Sequence, residues 1–513
     1  MFKKDILLEI KLLGLTISSG IVFALVFYKI LPAFFIFFGF IPFLIFLDRV
    51  RNWKTSALGG FLAGFFYFAL ILLFSIYIRW PGFITPETLF LKVAYVASDI
   101  LGGIWWAIFS FFAYRGWRRH WSMVFFIPSL WLLMEFFRSL TVFRFTWGFL
   151  GYLTEDLFVF RQASVIMGVL GLGFFIVFIN VALFFTFQYL VQRNLKSSMM
   201  LLGVGLVVLG SIFFLTTKAQ TDIKSTKSIK VAVAQSNKDT PVQNFYEEPY
   251  FSLLNTARQK NPDLVVLPES ILKGWDDEKE KSLSQVLANF PGLVAFGAYR
   301  QEREKLYTSF FLWKRGSVVD IYDKHFLVPF AEYRPPLISR FSPKTILIFT
   351  PGEHVQFLGD GSMRLGVFMC QESMHPEAGQ RPVLQGAQLL VSGANDGVVL
   401  DSFFLQKFAR AENNWLYYIN HLTAKFRAIE TSRYLVRSTK LGIASIIDPL
   451  GEEIVRIDSG QSKVSVQEVK LREGLTPYTR FGDAPALTAS FLFIGFVFST
   501  RSIKRTRTRK ALE

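Results

Sequence analysis

The chain has 513 residues, enough for two or three domains. Hydrophobic residues make up 52% and Phe alone counts 58, which excludes a purely soluble enzyme. The net charge of +17 sits in short loops between apolar spans and in a basic tail, a pattern that points to a membrane and away from nucleic acid.

Seven apolar spans come first, near 10–28, 29–47, 56–78, 92–113, 121–139, 162–189 and 199–216, and an eighth, shorter one runs near 484–499. Each reaches or approaches the roughly 20 residues that a helix needs to cross the hydrocarbon core. No small-residue cleavage site follows the first span, so it does not read as a signal peptide.

Lys and Arg set the expected orientation. Lys3, Lys4 and Lys11 precede span one, and Arg49, Arg51 and Lys54 follow span two. Arg115, Arg118 and Arg119 follow span four, and Arg193 and Lys196 follow span six. The tail carries Arg501, Lys504, Arg505, Arg507, Arg509 and Lys510. Eight crossings put all five groups on one side, and positive-inside bias makes that side the cytoplasm. Residues 217–483 then lie outside and both termini inside.

Polar residues inside spans stand out. Glu135 and Arg138 lie three apart and share a helix face. They read either as a functional pair or as a structural ion pair near the membrane surface. Asp99 and Asn180 are further cases. An outward loop, Phe145-Thr146-Trp147-Gly148-Phe149-Leu150-Gly151-Tyr152, follows span five.

Residues 217–228 are polar and unpatterned and read as a linker. Beyond them strands alternate with helices, which suggests α/β layers. Strands are expected at 229–235, 263–268, 293–299, 307–314, 317–323, 364–370, 388–392, 415–419 and 441–447. Helices are expected at 243–260, 278–289, 377–386 and 401–414.

The chemistry converges on three strand ends. Leu264-Val265-Val266-Leu267-Pro268-Glu269 is an apolar strand ending on a carboxylate. Asp320-Ile321-Tyr322-Asp323-Lys324 ends on an ammonium, and Gly366-Val367-Phe368-Met369-Cys370 ends on the single cysteine of the chain. A lone Cys on an apolar strand is most often a small core residue. With Glu269 and Lys324 beside it, the set becomes an acyl-transfer site. The thiolate attacks a carbonyl, the carboxylate takes and returns the proton, and the ammonium stabilises the oxyanion. One cysteine also leaves no partner for an intramolecular disulfide, which suits an oxidising compartment. The histidines His325, His354, His375 and His421 lack metal-ligand spacing, and no metal or cofactor is expected.

Residues 229–470 resemble the nitrilase (carbon–nitrogen hydrolase) superfamily and, within it, the apolipoprotein N-acyltransferase family of bacterial membrane enzymes. The matching motifs are Leu267-Pro268-Glu269-Ser270, the stretch from Tyr322-Asp323-Lys324-His325 through Val328-Pro329-Phe330-Ala331-Glu332-Tyr333, and Ala428-Ile429-Glu430-Thr431-Ser432-Arg433. The resemblance implies an α-β-β-α sandwich on a membrane helical bundle of about eight transmembrane helices. It makes Glu269, Lys324 and Cys370 the catalytic set and gives Glu332 and Glu372 supporting roles. It implies a phospholipid acyl donor in the bacterial inner membrane and a diacylated apolipoprotein acceptor, joined through a Cys370 thioester. A membrane-tethered amidase, or a non-catalytic lipoprotein-binding relic of the fold, are the other readings. A monomer is expected.

Departures from the family pattern mark candidate substrate-binding positions. Gln371 stands where Tyr is usual after the nucleophile, and Thr146 stands where Pro is usual before Trp147. Asn395-Asp396-Gly397 continues into Val-Val-Leu instead of Ala-Trp-Phe-Gly. An expected Trp is absent, with Phe245 and Tyr246 the nearest substitutes. Gln371, Asn395, Phe245, Tyr246, Trp147, Glu135 and Arg138 are therefore expected to shape acyl and peptide entry.

The expected organisation is membrane helices over 1–216, a linker over 217–228, a catalytic domain over 229–483, and a last helix with its basic tail over 484–513.

Overall fold

The structure, a computed structural model, describes residues 2–72, 78–79, 86–141, 146–238, 240–329, 331–334, 348–396, 399–400 and 415–510. It forms two compact units. One comprises Met1–Ile76, Lys92–Thr216 and Phe481–Glu513, and the other Tyr77–Leu91 and Thr217–Arg480.

The first unit is helical. Its helices are α1 (Phe2–Phe27), α2 (Ile41–Arg49), α3 (Trp53–Ile71), α4 (Pro86–Gly116, which begins in the other unit), α5 (Met123–Ser139), α6 (Phe158–Gln162), α7 (Ser164–Val191) and α8 (Leu195–Thr221). Among the described residues five helices are long and apolar enough to cross a membrane, and Ala484–Ser499 is a shorter apolar helix. The expected continuous span at 29–47 is not one helix. Pro32 precedes a 3-10 turn over Ala33–Phe37, and Pro42 starts the nine-residue α2. Proline lacks the N–H that a helix interior needs, so the run breaks at both. Irregular backbone at membrane depth must find partners within the protein. Asn180 of α7 supplies them: it accepts the Phe40 N–H at 2.9 Å and donates to the Ile36 carbonyl at 2.8 Å. That explains a buried amide inside an apolar span.

The second unit is a two-sheet sandwich. In chain order its strands are β1 (Ile78–Arg79), β2 (Lys224–Gln235), β3 (Leu264–Val266), β4 (Leu293–Glu302), β5 (Lys305–Lys314), β6 (Ser317–Asp323) and β7 (Phe357–Gly359). They continue with β8 (Arg364–Met369), β9 (Leu389–Ala394), β10 (Val399–Leu400), β11 (Leu435–Thr439), β12 (Ala444–Ile447), β13 (Glu453–Ile457) and β14 (Lys463–Glu473). One sheet has the order β14-β2-β3-β4-β5-β6 and the other β13-β12-β11-β9-β8-β7. The short β1 pairs antiparallel with β10.

Alternation builds the layers. Val231 and Val233 of β2 face the other sheet, where Val367, Val391 and Val436 join the same core. Ala232 and Ala234 face outward, against Leu253 and Leu254 of α9 (Tyr250–Gln259) and Leu283 of α10 (Asp277–Val286). On the far side, Phe368, Leu390 and Leu435 meet Val383 of α11 (Pro376–Leu384) and Ala424 and Ala428 of α12 (Trp415–Thr431). Strands buried on both faces read as near-continuous apolar runs. Each fully buried Val or Leu contributes about 1.5–3 kcal/mol. The result is the α-β-β-α sandwich.

Two expectations are corrected here. Residues 415–419 open the helix α12 instead of forming a strand. The stretch 217–228 is not an unpatterned linker, because α8 runs to Thr221 and β2 starts at Lys224, with Lys224 paired to Glu473. The helix expected at 401–414 lies outside the described residues. The remaining helices of the chain are the short α13 (Pro477–Phe481) and α14 (Ala484–Lys510).

Candidate active site

Four strand ends carry the candidate residues. Glu269 follows β3 and Lys324 follows β6, both in one sheet. Cys370 follows β8 and Asn395 follows β9, both in the other. The site thus lies where the two sheets end together.

Cys370 sits on a strained turn. Its φ is +47°, in the left-handed region, between β8 and a 3-10 turn over Cys370–Met374. A non-glycine residue held there costs on the order of 1–3 kcal/mol and persists only when its surroundings enforce it. This strand-to-helix corner presents a nucleophile at the end of a sheet, as in other nucleophile elbows. The side chain is half-buried.

Lys324 is 1% exposed. Its Nζ donates to Glu269 Oε1 at 2.9 Å and to Glu332 Oε1 at 2.7 Å. An ammonium has three N–H donors, so one remains beyond these two carboxylates. Glu269 Oε2 accepts the Asn395 backbone N–H at 3.0 Å, and Glu332 Oε2 accepts the Val328 N–H at 2.8 Å. Both carboxylates are therefore held at both oxygens. The backbone comes very close here: a Cβ on Gly297 would lie 2.5 Å from Glu269 Cα, so only glycine fits.

Glu372 ties the Lys324 strand end to the nucleophile turn. Its Oε1 accepts the Tyr322 hydroxyl at 2.8 Å, the His325 N–H at 2.8 Å and the Phe326 N–H at 3.0 Å. Its Oε2 accepts the Met369 N–H at 2.7 Å, one residue before Cys370. Burial pushes its carboxyl up to about 7, while these donors favour the ionised form.

The electrostatics suit proton transfer. Burial pushes the Cys370 thiol up, the Glu269 carboxylate pushes it further, and Lys324 opposes both. The resting thiol therefore keeps its proton, and attack needs a base beside it. Burial works against the Lys324 ammonium, yet Glu269 and Glu332 outweigh it and hold its pKa well above the ordinary lysine value. Burial holds the Glu332 carboxyl above its ordinary range, with Lys324 offsetting only part of the rise and Glu269 adding to it.

Gln371 and Asn395 flank these groups and are half-buried. Gln371 Oε1 and Asn395 Oδ1 are buried without a hydrogen-bond partner among the described residues. Phe245 and Tyr246 belong to the same unit and lie in its outer layer. Phe245 is fully buried in the outer core and packs edge-on against Phe296 at 5.4 Å. Tyr246 is exposed and bonds Gln285. Among the described residues, neither makes a hydrogen bond or ring contact to the residues around Cys370. Both lie in the segment that packs on α10, which is why an aromatic pair there serves packing.

In the helical unit Glu135 and Arg138 anchor the loop after α5. Glu135 Oε1 accepts the Leu150 N–H at 3.0 Å, and Arg138 Nη1 donates to the Trp147 carbonyl at 2.9 Å. The guanidinium lies 4.9 Å from the Phe68 and Phe149 ring centres, while the direct contact to Glu135 is 3.9 Å. The pair holds backbone in place through these two bonds. Phe145 of this loop lies outside the described residues. The motif at 428–433 is architectural too. Arg433 donates to the Ala387, Thr431 and Gly474 carbonyls at 3.0, 3.0 and 2.7 Å.

Sequence reasoning missed one cluster. Asp396, Arg437 and Asn420 are buried together, with Asp396 Oδ2 to Arg437 Nη2 at 2.9 Å and Asn420 Nδ2 to Asp396 Oδ1 at 3.0 Å. The Arg that follows two apolar residues in the fully buried strand Leu435-Val436-Arg437-Ser438-Thr439 was the available signal.

A two-sheet sandwich with glutamate, lysine and cysteine at adjoining strand ends, on a chain that carries long apolar helices, defines a membrane-bound enzyme of the nitrilase class. Comparison with known proteins agrees. The family model "Apolipoprotein N-acyltransferase N-terminal domain" matches residues 19–182 and the model "Carbon-nitrogen hydrolase" matches residues 227–474. The chain belongs to the apolipoprotein N-acyltransferase family. An apolipoprotein N-acyltransferase of Geobacter metallireducens is 29% identical over 87% of each chain. One from Rickettsia prowazekii is 24% identical over 94% of this chain and 95% of its own. Among solved structures, a carbon-nitrogen hydrolase from Helicobacter pylori G27 overlays 47% of this chain and 88% of its own, with 17% identity and a TM-score of 0.36.

Proposed function

We propose that this protein transfers a fatty acyl chain from a phospholipid to the α-amino group of a diacylglyceryl-cysteine at a lipoprotein N-terminus. The observation that carries the reading is Lys324 Nζ gripped by Glu269 and Glu332 at 2.9 and 2.7 Å, at the sandwich end where Cys370 turns out of its strand. Attached long apolar helices suit two substrates that are both lipid-anchored.

The reaction runs in two balanced steps. Glu269 takes the thiol proton as Cys370 Sγ attacks the ester carbonyl, and the remaining Lys324 N–H meets the oxyanion. The intermediate collapses, the lysophospholipid leaves as an alcohol with the proton from Glu269, and a thioester remains. The acceptor amine then attacks the thioester and gives its proton to Glu269, which returns it to the departing thiolate. Gln371 and Asn395 offer the substrate amide oxygens that have no hydrogen-bond partner among the described residues. The five basic segments support a cytoplasmic side for both termini and an outer side for the catalytic unit, in a bacterial inner membrane.

Purified protein in phospholipid micelles, given a diacylated lipopeptide, is expected to add one acyl chain to the peptide amine, read by mass spectrometry. Release of free fatty acid with an unmodified peptide would instead identify a hydrolase. Absence of both products would leave only a binding role and overturn the proposal.

A further inference from the structure

Glu269 is held in two ways. Lys324 meets one oxygen, and the Asn395 backbone N–H meets the other at 3.0 Å. A backbone amide is only as well placed as the segment that carries it. The next residue, Asp396, is 1% exposed and is fixed from two elements at once. Arg437 of β11 meets its Oδ2 at 2.9 Å, and Asn420 of α12 donates to its Oδ1 at 3.0 Å. Gly442 makes room for it, since a Cβ there would lie 2.2 Å from Asp396 Oδ2.

The same helix also grips the nucleophile turn. Ser373 of that turn donates to the Asn420 carbonyl at 3.4 Å, and its hydroxyl lies 2.8 Å from that of Thr423. Asn420 therefore joins the segment that orients Glu269 to the turn that carries Cys370.

This arrangement is poorly suited to stability alone. Arg437 Nε and Nη1 are buried without hydrogen-bond partners among the described residues. Desolvating a charge pair so incompletely satisfied costs more than an apolar pair of the same volume would. A geometric constraint at the site is the return that such a pair gives.

We propose that Asp396, clamped by Arg437 and Asn420, is a positioning residue that holds the Asn395 amide against Glu269 and so sets the rate of Cys370 acylation. This rests on the acyl-transfer reading. Asp396 itself touches no reacting atom.

The test is single-turnover acylation of the full-length protein by phospholipid in micelles, followed by intact-protein mass, with thermal melting alongside. Asn420→Ala removes one hydrogen bond and leaves the charge pair intact. It is expected to melt near the wild type, to acylate on the order of tenfold more slowly, and to keep the donor KM within about twofold. Asp396→Asn is expected to lose on the order of a hundredfold in the same rate constant. A purely structural role would lower the fraction of protein acylated and leave the rate constant alone. A folded Asn420→Ala protein that acylates at the wild-type rate overturns the proposal, even if Asp396→Asn fails to fold. A wild-type protein that never acylates would instead count against the acyl-transfer reading.

Discussion

Lys324→Met is expected to slow thioester formation by about a hundredfold or more, as loss of one oxyanion donor does in other acyl-transfer sites. The substitution keeps an unbranched side chain one atom shorter and removes its charge. Nζ now bonds Glu269 at 2.9 Å and Glu332 at 2.7 Å and has one N–H to spare. Without it the oxyanion loses its cation, and Glu269 and Glu332 lose the ammonium that both of them bond. Quenched time courses of Cys370 acylation measure the effect. A rate within about threefold of the wild type would remove Lys324 from the oxyanion role.

The second large effect is expected at Glu372. Its two oxygens accept four donors: the Tyr322 hydroxyl and the backbone N–H groups of His325, Phe326 and Met369. Glu372→Ala leaves all four in a site that the protein fully buries. A buried donor left unsatisfied costs about 1–3 kcal/mol, so the total reaches several kcal/mol even with partial rehydration. For a unit of this size each kcal/mol moves the melting point by about 2–4 °C, so a fall on the order of 10 °C is expected. Activity should fall with it, because the donors come from the segment holding Lys324 and from the residue before Cys370. Glu372→Gln keeps an acceptor and should lose less. Calorimetry of both variants provides the check. An unchanged melting point in Glu372→Ala would contradict the tie between the two strand ends.

The parts of the site that lie at strand ends were legible in the sequence. Glu269 and Cys370 each close an apolar run, Lys324 ends a strand, and Lys324 and Glu332 sit eight positions apart in one motif. The clamp on Asp396 was not legible, because its partners lie 24 and 41 positions away and meet only through tertiary packing. The break at 29–47 was hidden because hydropathy reports how apolar a run is and not whether its backbone is continuous. Residues 415–419, Trp-Leu-Tyr-Tyr-Ile, carry strand-forming side chains, yet they open a helix whose later Ala424 and Ala428 pack on the sheet. Tertiary packing overrode local propensity there. Phe245 was placed at the site by analogy with a missing Trp, whereas its position above β4 makes it core.

Two-step transfer requires a covalent acyl-enzyme at Cys370. Intact-protein mass after incubation with phospholipid alone tests it. One added acyl chain is expected, removable by neutral hydroxylamine and absent in Cys370→Ala. An unmodified wild-type protein that nonetheless acylates a diacylated lipopeptide when both substrates are supplied would show direct transfer and contradict the account.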